Sequence, residues 1–258
     1  MHIFDNLYYT ILFFLFVLVG AVMFVVLFFI TAPYGKHVRK GWGPGIDKRA
    51  GWIIMEAISP ATFVIFFFLG NWKEGIMVYG FLFLWLLHYL YRSFIFSSIQ
   101  RGRRNMPLVV MAFGMLFNLA NGYLQGKYLF SLSPGLEKYS AAWLATPQFI
   151  VGVILFLAGF IIHIHSDSII RNLRTQGEDN EYKIPRGGLF RVLSAPNYFG
   201  EIVEWTGWAV LTWSLPGAAF AFWTAANLLP RGVANHKWYK KTFPDYPQER
   251  KAILPFIL

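Results

Sequence analysis

No cysteine occurs in the 258 residues, which excludes thiolate catalysis, thiol-ligated metals and disulfides together and leaves the redox compartment open. Charge is scarce too. Asp, Glu, Lys and Arg make up 14% of the chain, too little to cover a soluble globule of this size. Several mechanistic signatures are missing. There is no G-x-S-x-G elbow, no phosphate-binding P-loop, no H-E-x-x-H and no G-x-G-x-x-G between strand and helix; Gly41, Gly43 and Gly45 form a glycine-rich loop of the wrong spacing. Nor is there an internal repeat of the kind that builds secondary transporters.

What remains is apolar: 56% hydrophobic and 19% aromatic residues, with a mean hydropathy of +0.47. This composition predicts an all-α, multi-pass membrane protein. The stretch from Tyr8 to Thr31 carries no ionised group and is long enough to cross the hydrocarbon layer, and with no basic leader or small-residue cleavage motif it reads as a retained first span. Further apolar segments predict helices over 52–69, 76–96, 106–124, 149–164, 199–213 and 218–229, seven spans in all. They form one domain over 1–258, with loops 32–51, 97–105 and 165–198 and a tail 230–258. The last two spans meet at Ser214, Leu215, Pro216 and Gly217, residues suited to a tight turn.

Basic residues alternate from loop to loop. They gather at Lys36 to Arg49, Arg101 to Arg104, Arg171 to Arg191 and Arg231 to Lys251, whereas the intervening connections hold only Lys73, Lys127 and Lys138. The positive-inside rule then puts the N-terminus outside and the C-terminus in the cytoplasm. The net charge of +10 is concentrated on one face, which suits anionic lipid or a phosphorylated ligand better than nucleic acid.

Ionised groups inside apolar helices are costly, so each one that is kept marks a pairing, a cavity or chemistry. Asn197, Glu201, Glu204 and Trp208 fall on one face of a helix started by Pro196. The arrangement serves a bundle contact or a ligand equally, except that two carboxylates one turn apart repel unless donors face them. His163, Asp167, Arg171 and Arg174 share a face if the fifth helix continues. They form either an Asp-to-Arg ladder or a phosphate and ribose site. A metal site at His163, His165 and Asp167 is a weak reading, because residues two apart on a helix diverge, and none is expected. Trp85, Tyr89, Arg92 and Phe96 share a face of the third helix, Trp52 and Glu56 one of the second. A carboxylate paired with a phenol can hold a ketone oxygen and stabilise an enolate; the simpler alternative is a Glu56–Arg92 pair.

Eight ordered blocks make the chain similar to a known family. They are Pro33-Tyr34-Gly35-Lys36-His37, His88 to Arg92, Arg101 to Arg103, Asn121 to Gly126, Ile164 to Asp167, Tyr182 to Phe190, Asn197 to Trp205, and Asp245 to the C-terminus. In these the chain resembles the steroid 5α-reductases (3-oxo-5α-steroid 4-dehydrogenases), over nearly everything beyond the first span. The resemblance implies a seven-helix membrane enzyme that uses NADPH to saturate the C4–C5 double bond of a 3-oxo-Δ4 steroid such as testosterone or progesterone. It implies catalytic roles for Tyr89 and Glu56 at the substrate ketone, and a steroid pocket lined by Trp52, Tyr34, Phe117 and Arg92. Arg101, Arg103, His163, Asp167, Arg174, Tyr182, Asn197, Glu201, Arg231 and Tyr239 would surround the dinucleotide. Hydrophobic steroid and membrane lipid are the implied partners, with no protein partner and a monomer expected. The membrane would be a bacterial inner membrane, or the endoplasmic reticulum in a eukaryote. The chain departs from the family pattern at Met55, where Gln precedes the Glu, at His163, where Asn is common, and at Asn235. Related alternatives are membrane reductases of polyprenols or enoyl thioesters, an isoprenylcysteine methyltransferase-like enzyme, and a transporter or lipid-binding protein.

Overall fold

Seven long helices carry the described residues. The computed structural model describes residues 6–31, 41–71, 75–100, 105–173 and 182–257. Helix α1 (Leu7–Phe29) is apolar on every side, as a lipid-facing helix is. Its exposed face includes Leu18 and Val22, while Tyr9 is buried and its hydroxyl donates to the Leu124 carbonyl at 2.8 Å. Helix α2 (Lys48–Leu69) starts at Asp47, whose carboxylate accepts the N–H groups of Arg49 and Ala50 at 3.0 Å each. That cap draws Lys48 to Gly51 into the helix, so α2 begins within the stretch expected to be loop. Helix α3 (Ile76–Leu90) widens into a π-helical turn over Tyr91–Phe96 and closes with Ser97–Ile99. Helix α4 (Leu108–Lys127) is joined to the start of α2 by a two-residue antiparallel ribbon, β1 (Gly45–Ile46) against β2 (Met106–Pro107), which hydropathy did not foresee.

Helix α5 (Pro147–Asn172) runs two turns beyond its predicted end, which keeps His163 and Asp167 on one helical face. Helix α6 (Pro196–Thr212) begins at Pro196, as predicted. Trp213 then turns through a left-handed conformation (φ 45°), and the Ser214 hydroxyl caps helix α7 (Leu215–Thr242) by accepting the Gly217 N–H at 3.1 Å. Helix α7 is the clearest departure from expectation: it continues through Pro230 to Thr242, so half of the presumed tail is helical.

Among the described residues, five helical stretches are long and apolar enough to cross a membrane: Leu7–Phe29, Lys48–Leu69, Ile76–Ile99, Leu108–Leu132 and Pro147–Asn172. Helix α6, with 17 residues, and α7, whose second half carries Arg231, Lys237, Lys240 and Lys241, are not among them.

The chain divides into two compact units, Met1–Val17 with Pro33–Ile150, and Leu18–Ala32 with Val151–Leu258. In the first, α2 packs along α4 and against α3. Phe63 stacks on Trp85 at 4.6 Å between ring centres, with Phe130 edge-on to Phe63 at 5.0 Å. In the second, α6 lies along α7, and Trp205 packs against Phe220 at 4.3 Å.

The end of the second unit is built in, not loose. Lys251 N–H donates to the Val192 carbonyl at 2.9 Å, and Ser194 and Ala195 N–H donate back to the Lys251 and Ala252 carbonyls at 2.8 and 3.0 Å. Arg250 is buried, donates to the Pro185 carbonyl at 3.0 Å and lies over the Tyr246 ring. The Ser194 hydroxyl sits 2.6 Å from both the Tyr246 hydroxyl and His236 Nδ1. Burial, and then the nearby charges of Lys240 and Lys251, hold the His236 pKa below its ordinary value. The folded form therefore favours the neutral ring. Its stabilisation is complete above the unfolded value of about 6.5 and is lost as pH falls through the folded value. The melting temperature should drop between about pH 7.5 and pH 5, and His236→Gln should shrink that drop. An unchanged pH dependence in the variant would show that His236 does not anchor this segment.

Candidate active site

In the first unit, α2 and α3 run antiparallel, and two contacts set their register. Phe63 stacks on Trp85 at one level; at another, the Arg92 guanidinium lies over Trp52 at 5.0 Å. Glu56 is one turn from Trp52 toward Phe63, and Tyr89 is one turn from Arg92 toward Trp85, so both fall between the two contacts and at similar levels. Tyr89 is 3% exposed, its ring tilted against Trp85 at 4.9 Å, whereas Glu56 is half-buried. From α4, the Asn121 amide donates to the Tyr89 hydroxyl at 3.5 Å and accepts from Gln125 at 3.4 Å. A phenol oxygen can accept one hydrogen bond while its O–H acts as a donor, so the hydroxyl has both functions.

The other predicted lining residues that are described have aromatic neighbours. Phe117 stacks on Phe16 at 5.7 Å. Arg92 lies in the π-helical turn, sandwiched over Trp52 and, at 4.6 Å, over Phe96. Such wide turns recur at functional sites because they displace a side chain from the regular helical spiral. Met55 is buried, its thioether filling the space left by Gly114, and its carbonyl accepts from Asn118 at 2.9 Å.

The second unit assembles the other predicted group. Gly152 and Gly159 on α5 face Gly200 and Gly207 on α6, and the two backbones touch. A Cβ at Gly207 would stand 2.7 Å from the Gly152 carbonyl oxygen, and one at Gly200 would stand 2.6 Å from the His163 backbone nitrogen. Small residues permit this approach in a membrane, where dispersion, not hydrophobicity, drives association of helices. The seam carries polar side chains toward one another. His163 Nε2 lies 3.2 Å from Asp167 Oδ2 and 4.0 Å from Glu201 Oε2, and Nδ1 lies 3.6 Å from Glu204 Oε2. Asn197 donates to Asp167 Oδ1 at 2.9 Å. Arg171 donates to the Ser168 hydroxyl at 3.1 Å, and His165 packs toward Gly188. The carboxylates and the amide can accept from and donate to sugar hydroxyls and a carboxamide.

Other predicted residues have partners of their own. Arg231 donates to the Tyr198 hydroxyl at 3.3 Å and lies over its ring. Tyr182 packs edge-on to Trp238 at 5.2 Å, and Tyr239 stacks flat on Tyr246 at 5.2 Å, within the cluster that binds the C-terminal segment. Tyr34, Arg101, Arg103 and Arg174 lie outside the described residues. Two participants escaped the sequence reading of the site. Asn121 belongs to a buried polar row with Asn118 and Gln125 in an apolar helix, a signal that was available. Glu204 stood on the polar stripe of α6 but had no assigned role.

The family model described as 3-oxo-5-alpha-steroid 4-dehydrogenase matches residues 104–258. The Bos taurus 3-oxo-5-alpha-steroid 4-dehydrogenase 1 is 40% identical over 247 residues, covering 93% of each chain. The chain belongs to the 3-oxo-5-alpha-steroid 4-dehydrogenase family. Plant relatives of this family are as similar: the steroid 5-alpha-reductase DET2 of Gossypium hirsutum is 42% identical over 240 residues and 90% of each chain, and that of Solanum lycopersicum 38% over 258 residues and 98% of each. The match therefore takes in the residues of both units, including those in which the family resemblance was legible.

Proposed function

We propose that this integral membrane steroid 5α-reductase uses NADPH to reduce the C4–C5 double bond of a 3-oxo-Δ4 steroid, gripping the C3 ketone with Tyr89 and Glu56. Family membership makes it an oxidoreductase of steroids; the levelled placement of Glu56 and Tyr89 on α2 and α3 carries the rest of the reading. Reduced nicotinamide, when bound, supplies the hydride that C5 receives. Tyr89 donates its hydroxyl hydrogen bond to the C3 oxygen, where negative charge grows as C5 is reduced, and Asn121 fixes the phenol from its other side. Glu56 orients the phenol and the ketone, and the enolate then returns to the ketone as C4 takes one proton supplied by solvent, which with the hydride at C5 completes the reduction. Trp52, Phe117 and Arg92, with Tyr34, line an apolar chamber with one polar end, which suits a lipid-soluble enone.

The dinucleotide fits the donor set of the second unit. Asp167, Glu201 and Asn197 meet hydroxyl and carboxamide groups, and Arg231, with Arg174, offers cations to phosphates. Seven spans, an external N-terminus and a cytoplasmic C-terminus complete the proposal, with the basic loops on the side where NADPH is available. The enzyme works as a monomer on steroid drawn from the lipid.

Purified protein in detergent or liposomes, supplied with NADPH and testosterone or progesterone, should form the 5α-dihydrosteroid with one NADPH oxidised per product. Reduction of a polyprenal or an enoyl-CoA instead would move the enzyme to a related substrate class. Tight S-adenosylmethionine binding without NADPH binding would overturn the proposal.

A further inference from the structure

The buried side of the last part of α3 is polar. Tyr89, Ser93, Ser97 and Gln100 recur at helical spacing and are all buried, while Phe94, Ile95, Ser98 and Ile99 between them are exposed. Ser93 is the buried residue of the π-helical turn and Ser97 that of the stretch Ser97–Ile99, and both segments pack against α2. The row ends where the apolar span ends. Gln100 follows Ile99, and its carbonyl accepts from Arg49 Nε at 3.3 Å and Nη2 at 3.0 Å, at the start of α2. Hydroxyls inside apolar helices ordinarily donate to a carbonyl one turn back, as Thr212 and Thr224 do at 2.8 and 3.0 Å. Ser97 likewise donates to the Arg92 carbonyl at 3.0 Å. Ser93 does not. Among the described residues neither its Oγ, 0% exposed, nor Gln100 Oε1, on a residue 8% exposed, has a hydrogen-bond partner. Such atoms are expensive to bury and are kept where something small and polar meets them.

We infer that this row lines a file of water that carries the C4 proton from the Arg49–Gln100 end to the substrate beside Tyr89. The inference rests on the reading that Tyr89 and Glu56 hold the ketone. Side chains one turn apart on a helix stand about 5–6 Å from one another, the span of one water hydrogen-bonded to both. From Gln100 to Tyr89 the row climbs roughly 16 Å, a distance that a few such waters bridge. Once C5 has received its hydride, the C4–H bond forms as an O–H bond of the innermost water, held by Ser93, breaks. The hydroxide so left takes a proton from the next water outward, and solvent at Gln100 restores the last one, so no buried ion persists. The Ser93 hydroxyl can accept from one water while donating to the next, which is what a relay requires. Ser97, whose O–H is held by the Arg92 carbonyl, offers its oxygen as an acceptor along the way.

Turnover of testosterone or progesterone by the full chain in liposomes, in ordinary and in heavy water, tests the file. Ser93→Ala removes one oxygen and should lower kcat about tenfold while KM for steroid and for NADPH changes by less than about threefold. The variant should also be slowed by heavy water more than the wild type is, because protonation has become limiting. Ser93→Thr keeps the hydroxyl and should recover most of the loss. Gln100→Leu should act in the same direction, and the double variant should be little slower than Ser93→Ala, since both interrupt one path. Ser59→Ala is the control. Its hydroxyl is equally buried and has no partner among the described residues, but it lies on α2 one turn beyond Glu56, away from Gln100. That variant should leave kcat and the heavy-water response unchanged. Wild-type kcat and heavy-water response in Ser93→Ala, or the same change from Ser59→Ala, refutes the file. If the wild type reduces neither steroid, or Tyr89→Phe turns over as the wild type does, the ketone assignment itself fails and the file falls with it.

Discussion

Tyr89→Phe lowers kcat/KM for the enone by about a hundred- to a thousandfold, the usual cost of deleting one preorganised donor to a developing oxyanion. Protein yield and NADPH affinity should hardly change. The ring contacts that seat this side chain, with Trp85 at 4.9 Å and His88 at 4.9 Å, need no hydroxyl, so phenylalanine should occupy the same place. The lost group is also the acceptor for Asn121, whose long 3.5 Å hydrogen bond is a minor loss. Glu56→Gln removes the charge but keeps the shape, and the double variant should fall little further than Tyr89→Phe if the two residues act as one device. Steady-state rates with product analysis decide the matter. Activity of the double variant within about threefold of wild type would show that the pair is structural.

Gly159→Ala should be among the most damaging single methyls at the described glycines. A Cβ there would strike the backbone of α6 at Gly200 and Glu204, and backbone cannot swing aside as a side chain can. Overpacking of this kind costs about 3 kcal/mol or more, and the helices must separate to relieve it. Because His163 lies one turn along α5 and Glu204 is itself struck, the carboxylate cluster should open and NADPH binding should fall with stability. Gly80→Ala on α3 is the matched control, since a Cβ there meets nothing within 4 Å. It should be neutral or slightly stabilising, as the better helix former. Thermal unfolding in detergent compares the two, and equal melting temperatures would disprove the tight seam.

Much of this arrangement was written in hydropathy and helical period. Pro196 opens α6 where expected because proline is tolerated in the first turn, and the turn at Ser214 to Gly217 forms because serine caps and glycine fits closely against Thr212. The stripe of Asn197, Glu201 and Glu204 was visible as polar residues at helical spacing. The short ribbon at Gly45–Ile46 and Met106–Pro107 was not, since two residues per strand leave no alternation to read. The continuation of α7 past Pro230 was hidden too. Charge and proline suggested a stop, but the helix is supported there by the C-terminal segment, with Ile253 fully buried against Gly232.

Composition and periodicity by themselves determined that the chain is a helical membrane protein, where most of its helices lie, and which side chains share a face of each helix. Those properties depend on neighbours three or four residues apart, which any sequence displays. Tertiary structure alone decided that His163 sits between Asp167 and Glu204, that Asn121 reaches Tyr89, and that the C-terminal segment pairs with residues 192–195. Each depends on which helix faces meet and how closely. At the α5–α6 seam that distance is governed by four missing side chains, the glycines, whose effect appears only when both helices are present together.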